Sequence, residues 1–374
     1  MTLPRADVDP DGLQEFSVVF TDRSLNHMSA RFQGVMREIS ALLREVYNGH
    51  SVALVPGGGT YAMEAVARAF GRGQVLIVRN GWFSYRWSQI FEMGGFAAGT
   101  TVVMARQTGN GVRAPYGPPP IEEVCARIRE VRPEAVFAPH VETSSGIILP
   151  DGYVAAMAAA AHEVGALLVL DCIASGCIWV DMVATGVDVL ISAPQKGWSA
   201  SPAAGIVVMS GRAEAALAEV VANSFALDLK KWRSIMAAYE GGGHAYHATM
   251  PTDAILGLRD AMVETRAMGF AAAKAAQWAL GRAVRALLAG RGVMSVAAVG
   301  FQAPGVVVSY TDDPEVQNGS KFRAEGLQIA AGVPLQVGEA AEFRTFRLGL
   351  FGLDKLADVP ATVARLQKAV EAVL

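Results

Sequence analysis

From residue 52 to residue 209 the chain alternates short apolar runs with helical stretches, and no other feature restricts its fold as strongly. The runs at 52–55, 75–78, 101–104, 135–139, 167–170, 187–191 and 205–209 have the length and composition of strands, several of them fully buried. Helical spacing recurs between them, at 61–70, 121–131 and 153–164. Strands separated by helices predict an α/β domain: a mostly parallel sheet covered on both faces. In such a sheet, groups that meet a ligand gather at the C-terminal ends of the strands.

Those ends carry unusual residues. The first run breaks at Pro56-Gly57-Gly58-Gly59-Thr60 and resumes as a helix. Free backbone N–H groups and a positive helix end make an anion site there, and an ordinary strand–helix turn has the same look. Without a GK[ST] or a full GxGxxG, the loop does not support a nucleoside triphosphate or a dinucleotide. After the second run comes Asn80-Gly81-Trp82-Phe83-Ser84-Tyr85-Arg86-Trp87, whose aromatics form either a packed corner or a ring laid flat on a planar ligand. The run at 135–139 ends in His140-Val141-Glu142-Thr143-Ser144-Ser145-Gly146, where each hydroxyl alone reads as a turn former and His140 alone as a structural residue. Asp171 ends the run at 167–170. A carboxylate there is costly unless paired, and an N-cap is the other reading. After 187–191 stands Lys196, among small residues and two prolines. Burial lowers an ammonium's pKa, as an amine nucleophile requires, whereas most lysines are surface solubilisers.

The chain's 374 residues, 52% hydrophobic and 18% charged, suffice for a large core with an appendage. We expect a loose arm over residues 1–16, a large domain over 17–255 and a small α+β domain over 256–374. Residues 252–288 form one long helix or two between the domains. A net charge of −3 without a long basic run argues against nucleic acid. We expect no signal peptide in residues 1–12, and the apolar helix at 154–170 is too interrupted to span a bilayer. Cys125, Cys172 and Cys177 show neither a CxxC pair nor metal spacing, so no metal is expected and a reducing, cytoplasmic setting is.

Taken together, the segments resemble the class V aminotransferases of the fold-type-I pyridoxal-phosphate enzymes, nearest to the alanine–glyoxylate and serine–pyruvate aminotransferase branch. The resemblance covers roughly residues 26–352. Its motifs stand in order: Asn26-His27-Met28-Ser29; Gly58-Gly59-Thr60 with Ala62-Met63-Glu64; Asn80-Gly81-Trp82-Phe83; residues 140–146; Asp171 with Ser175; Gln195-Lys196; Tyr246-His247-Ala248-Thr249; and Phe346-Arg347-Leu348-Gly349. It implies a large domain with a mostly parallel seven-stranded sheet between helices, a smaller C-terminal α+β domain, and pyridoxal 5′-phosphate as cofactor.

The resemblance also implies roles. Lys196 would hold the cofactor as a Schiff base and shuttle a proton, and Asp171 would pair with the pyridine nitrogen. Phe83 would stack on the ring, with Thr143 beside the ring hydroxyl and Ile173 also against the cofactor. Gly58, Gly59, Thr60 and Gln195 would hold the phosphate, joined by Tyr246 and Thr249 from the neighbouring subunit of a homodimer. Arg347 would bind the substrate carboxylate through its planar fork. The expected reaction moves an amino group from a small amino acid, of the alanine or serine class, to glyoxylate or pyruvate. Three departures stand out: Phe83 where relatives often have Trp, Thr60 where they often have His, and residues 20–25 in place of a Gly-Pro-rich entrance. Arg23 in that entrance is either a second anion contact, as for 2-aminoethylphosphonate, or a surface charge. A class V lyase or desulfurase is a further alternative, but the last cysteine is Cys177, far from the C-terminal third. A cofactor-binding module without turnover is the remaining one.

Overall fold

The computed structural model of the chain describes Phe16, Val18 and residues 24–374. The expected arm apart from Phe16, and residues 20–23 of the entrance segment, Arg23 included, lie outside the described residues.

Seven strands form the main sheet: β1 (Ser51–Pro56), β2 (Gln74–Arg79), β3 (Gly99–Met104), β4 (Ala135–Pro139), β5 (Leu167–Asp171), β6 (Val189–Ser192) and β7 (Ala204–Met209). Their spatial order is β1-β7-β6-β5-β4-β2-β3. Strands β4, β5, β6 and β7 are buried along their whole length, which is why they read as unbroken apolar runs rather than as alternation. Each aliphatic side chain so buried contributes about 1.5–3 kcal/mol.

Strands β3, β2, β4, β5 and β6 are parallel, whereas β7 is antiparallel to both β6 and β1. Chain length explains the reversal. A parallel return needs a crossover of about a dozen residues or more, usually helical. The link from Ser192 to Ala204 is shorter and contains Pro194 and Pro202, so the chain doubles back. With β7 reversed, β1 points the same way as β6. The ends Pro56, Arg79, Pro139, Asp171 and Ser192 thus share one edge of the sheet, where β7 begins. Asp171 lies between Pro139 and Ile191 on its flanking strands.

Helices cover both faces. Helix α1 (Ala30–Tyr47) is capped by the Ser29 hydroxyl, which accepts from the Phe32 N–H, and it buries Phe32, Val35, Met36, Ile39, Leu42 and Leu43. Helix α2 (Gly59–Phe70) packs on β7, α3 (Trp82–Gly94) on β2 and β4, and α5 (Asp151–Glu163) on β5 and α4 (Ile121–Val131). The aromatic stretch at 82–87 is therefore the first turns of a helix. Trp87 is the packed corner, fully buried with its ring 4.8 Å from that of Phe137, while Phe83 faces elsewhere.

Two helices follow where the sequence left one or two open: α6 (Thr252–Met268) and α7 (Phe270–Gly290). They break at Gly269, whose φ of +91° suits glycine. Helix α7 packs on a second, antiparallel sheet of β8 (Val306–Tyr310), β9 (Ala330–Ala331) and β10 (Thr345–Gly349), and on the last helix, α8 (Val359–Val373). Isolated bridges at Ser295, to Ser309, and at Ala297, to Tyr116, tie the link that precedes β8 to its surroundings. No helix among the described residues is long and apolar enough to cross a membrane.

Candidate active site

A cavity of about 200 Å³ opens on the edge where the strand ends meet. Gly59, Thr60, Phe83, Thr143, Asp171, Ile173, Gln195 and Lys196, all expected from the sequence, line it, together with Arg86. Gly58 stands one residue before its wall, as the N-cap of α2.

Asp171 forms the buried floor. Its Oδ1 accepts from the Ile173 N–H at 2.9 Å. Burial raises its pKa to about 7 and the Glu142 charge adds to the rise, while the Ile173 N–H and Arg86 pull it down. A carboxyl held like this lacks a cationic partner close enough to offset its desolvation.

Lys196 sits in the turn that joins β6 to β7. Its Nζ lies 5.3 Å from the Phe351 ring centre, and burial followed by the charge of Arg347 lowers its pKa. The backbone around it is fixed. Ser199 takes a φ of +55°, and its Oγ accepts from the Leu353 N–H at 2.8 Å. Next to the lysine, a Cβ on Gly197 would stand 2.2 Å from the Gly176 carbonyl oxygen, so only glycine lets these backbones approach.

At the other end of the cavity, α2 begins without a side-chain cap. Tyr61 N–H returns to the Gly58 carbonyl, which leaves the amides of Gly59 and Thr60 at the helix start directed outward. The Thr60 hydroxyl accepts from Arg86 Nη1 at 2.8 Å.

Two guanidinium groups stand near the Phe83 ring, Arg86 at 5.4 Å and Arg347 at 5.5 Å from its centre. Its position depends on Glu142, a fully buried carboxylate at the start of α3. Glu142 accepts from the N–H groups of Phe83, Ser84 and Ser144 and from the hydroxyls of Ser84 and Ser144, at 2.7–3.2 Å. Glu142→Ala strands these donors and should cost about 3 kcal/mol or more. Urea unfolding would measure it, and an unchanged midpoint would remove Glu142 from this role.

Arg347 arrives from the second sheet, on β10. Its Nε donates to the Ala331 carbonyl at 2.8 Å, and burial lowers its pKa against the opposing pull of Glu142. The second sheet thus reaches the Phe83 wall of the cavity through Arg347.

Two expected residues stand apart. Tyr246 and Thr249 bond to each other at 3.3 Å and line a different cavity with His27 and Trp232. The chain's own fold does not bring them to Lys196. Sequence reasoning gave no role to Arg86 or Glu142, although both stood in the quoted motifs. The usable signal for Arg86 was its spacing of three from Phe83, which places both on one helix face.

A family model described as Aminotransferase class-V matches residues 13–321. A 2-aminoethylphosphonate–pyruvate transaminase of Burkholderia ambifaria (strain MC40-6) is 29% identical over 363 residues, 94% of this chain and 89% of the relative. A soluble hydrogenase small subunit of Synechococcus sp. (strain PCC 6716) is 27% identical over 92% of this chain and 86% of its own. Among solved structures, an alanine–glyoxylate aminotransferase from Nostoc sp. superposes with a TM-score of 0.78 at 24% identity, over 93% of this chain and 88% of that one.

Proposed function

We infer the reaction from one premise: the chain belongs to the aminotransferase class-V family. It is a pyridoxal-phosphate-dependent aminotransferase that takes its amino group from an amine and gives it to a 2-oxo acid. The cavity's donor set suits the cofactor: an amine for its aldehyde, an acid for its ring nitrogen, an aromatic face, and an uncapped helix end for its phosphate. When bound, the cofactor supplies an electron sink for the carbanion formed at the donor's Cα.

The proposed roles of the chain's own residues follow. Lys196 anchors the aldehyde carbon, and once displaced by the donor amine it moves the proton at the donor's Cα. Its lowered pKa suits both tasks, since a neutral amine both attacks and accepts a proton. Asp171 holds the ring nitrogen protonated. Gly58, Gly59, Thr60 and Gln195 take the phosphate, Phe83 and Ile173 bracket the ring, and Thr143 meets its hydroxyl. Arg347 orients the donor through its anionic group. In the proposed division, residues 17–255 carry the cofactor and residues 256–374 bring Arg347. Tyr246 and Thr249 act across a homodimer, at the phosphate of the second copy. Full activity in a monomer would remove that last role.

For the substrates we propose a small amino acid of the alanine or serine class as donor and glyoxylate or pyruvate as acceptor. What carries this reading is Lys196 and Asp171 in one small cavity, with the guanidinium of Arg347 brought up to its Phe83 wall and close enough to Lys196 to lower its pKa. The names of several curated relatives favour a second reading, 2-aminoethylphosphonate as donor to pyruvate. A panel of alanine, serine and 2-aminoethylphosphonate against both acceptors separates the two. Turnover of the phosphonate alone would overturn the first. Arg347→Ala should lower kcat/KM for the true donor by about 30- to 1000-fold, mostly through KM. Arg347→Lys should recover only part, because an ammonium lacks the fork. An unchanged KM in both variants would dismiss Arg347 as the donor's anchor.

A further inference from the structure

We propose that Arg86 is a cofactor-phosphate ligand, the cation that balances the dianion at the start of α2. This rests on the cofactor reading above and adds to it a charge that the sequence motifs left unassigned.

A phosphate brings close to two negative charges into a partly buried cavity. A helix start offers about half a positive charge, and the other expected partners, Gly58, Gly59, Thr60 and Gln195, are neutral. Of the cations in or near the cavity, Lys196 is committed to the aldehyde, and Arg347 acts on Lys196 and stands over the Phe83 ring from the second sheet. Arg86 alone stands at the phosphate end. It is half-buried and makes no ion pair with a carboxylate among the described residues. Among the described residues it donates from Nη1 to Thr60 Oγ1, at 2.8 Å, and the second residue of α2 is where a phosphate would sit. The guanidinium retains further donors in a planar fork, which suits phosphate oxygens. Its aim is set on two sides, by Thr60 and by the Phe83 ring one helical turn earlier. A cation placed like this also explains how the site manages without the histidine that relatives often carry at position 60. Arg86 approaches from α3, over the Thr60 hydroxyl.

The test uses the full chain stripped of cofactor, with two probes: pyridoxal phosphate and pyridoxal, which has the same ring without the phosphate. Equilibrium dialysis gives Kd for each with the wild type, Arg86→Gln and Arg86→Lys. Arg86→Gln should weaken pyridoxal phosphate by about 10- to 100-fold and leave pyridoxal unchanged. Arg86→Lys should fall between, and inorganic phosphate should compete with pyridoxal phosphate in the wild type far better than in Arg86→Gln. An equal loss for both probes would overturn the proposal, since it would mean that Arg86 only props the Phe83 ring. Unchanged cofactor affinity with poorer binding of a dianionic donor would overturn it too, and would move Arg86 to the substrate. A wild type that binds neither probe would overturn the cofactor reading itself and this inference with it.

Discussion

Lys196→Ala should abolish amino transfer, lowering kcat/KM by roughly 10⁴-fold or more. Two contributions vanish together: the amine that anchors the cofactor, and the base that moves the proton at the donor's Cα, the latter alone being worth about 10²–10⁴. The variant should still fold. Lys196 is half-buried in a turn whose geometry depends on Ser199, Gly197 and Leu353 rather than on the lysine side chain. Borohydride treatment followed by peptide mass mapping gives a readout independent of turnover. The wild type should carry the cofactor mass on the Lys196 peptide, and the variant on none. Substantial turnover by Lys196→Ala, or cofactor fixed on another lysine, would dismantle the reading.

Asp171→Asn should cost about 10²- to 10³-fold in kcat, the penalty of leaving one member of a buried charge pair without its partner. It also has a pH signature. Without cofactor, burial raises the Asp171 carboxyl to about 7, against about 3.9 in an unfolded chain. Between these values the folded state holds the proton that the unfolded state has lost. Stability from this group is thus complete below about pH 4 and is lost as the pH rises through about 7. A ring-nitrogen cation beside the carboxylate removes that loss. The gain in Tm on adding cofactor should therefore be larger at pH 8 than at pH 5.5, and Asp171→Asn should shrink that difference. A gain independent of pH in the wild type would contradict the pairing.

The strand segments along the chain and much of the rim were legible because both depend on local pattern, whereas the order of the strands in the sheet was not. Apolar runs, glycine breaks and helical spacing gave the strands and helices, and Gly59, Thr60, Phe83, Thr143, Asp171, Gln195 and Lys196, all named after strand ends, line the cavity. The aromatic stretch at 82–87 was harder. A turn and the first turn of a helix share their opening glycine, and only the fold separates Trp87 in the core from Phe83 in the site. Glu142 stayed silent because nothing in a sequence marks a carboxylate whose partners are backbone amides 58 and 59 residues away. The remoteness of Tyr246 and Thr249 from Lys196 was likewise invisible, since spacing along a chain does not say which copy a side chain serves.

The reversal of β7 has a consequence for how such a protein can diversify. Loops at the other strand ends lead into helices and can lengthen without disturbing the sheet. The segment bearing Lys196 connects two antiparallel strands that are hydrogen-bonded to each other, so the separation of its ends is fixed by the ladder itself. New substrates can be accommodated by redrawing the surrounding rim, while the reactive amine keeps the same address in every redesign.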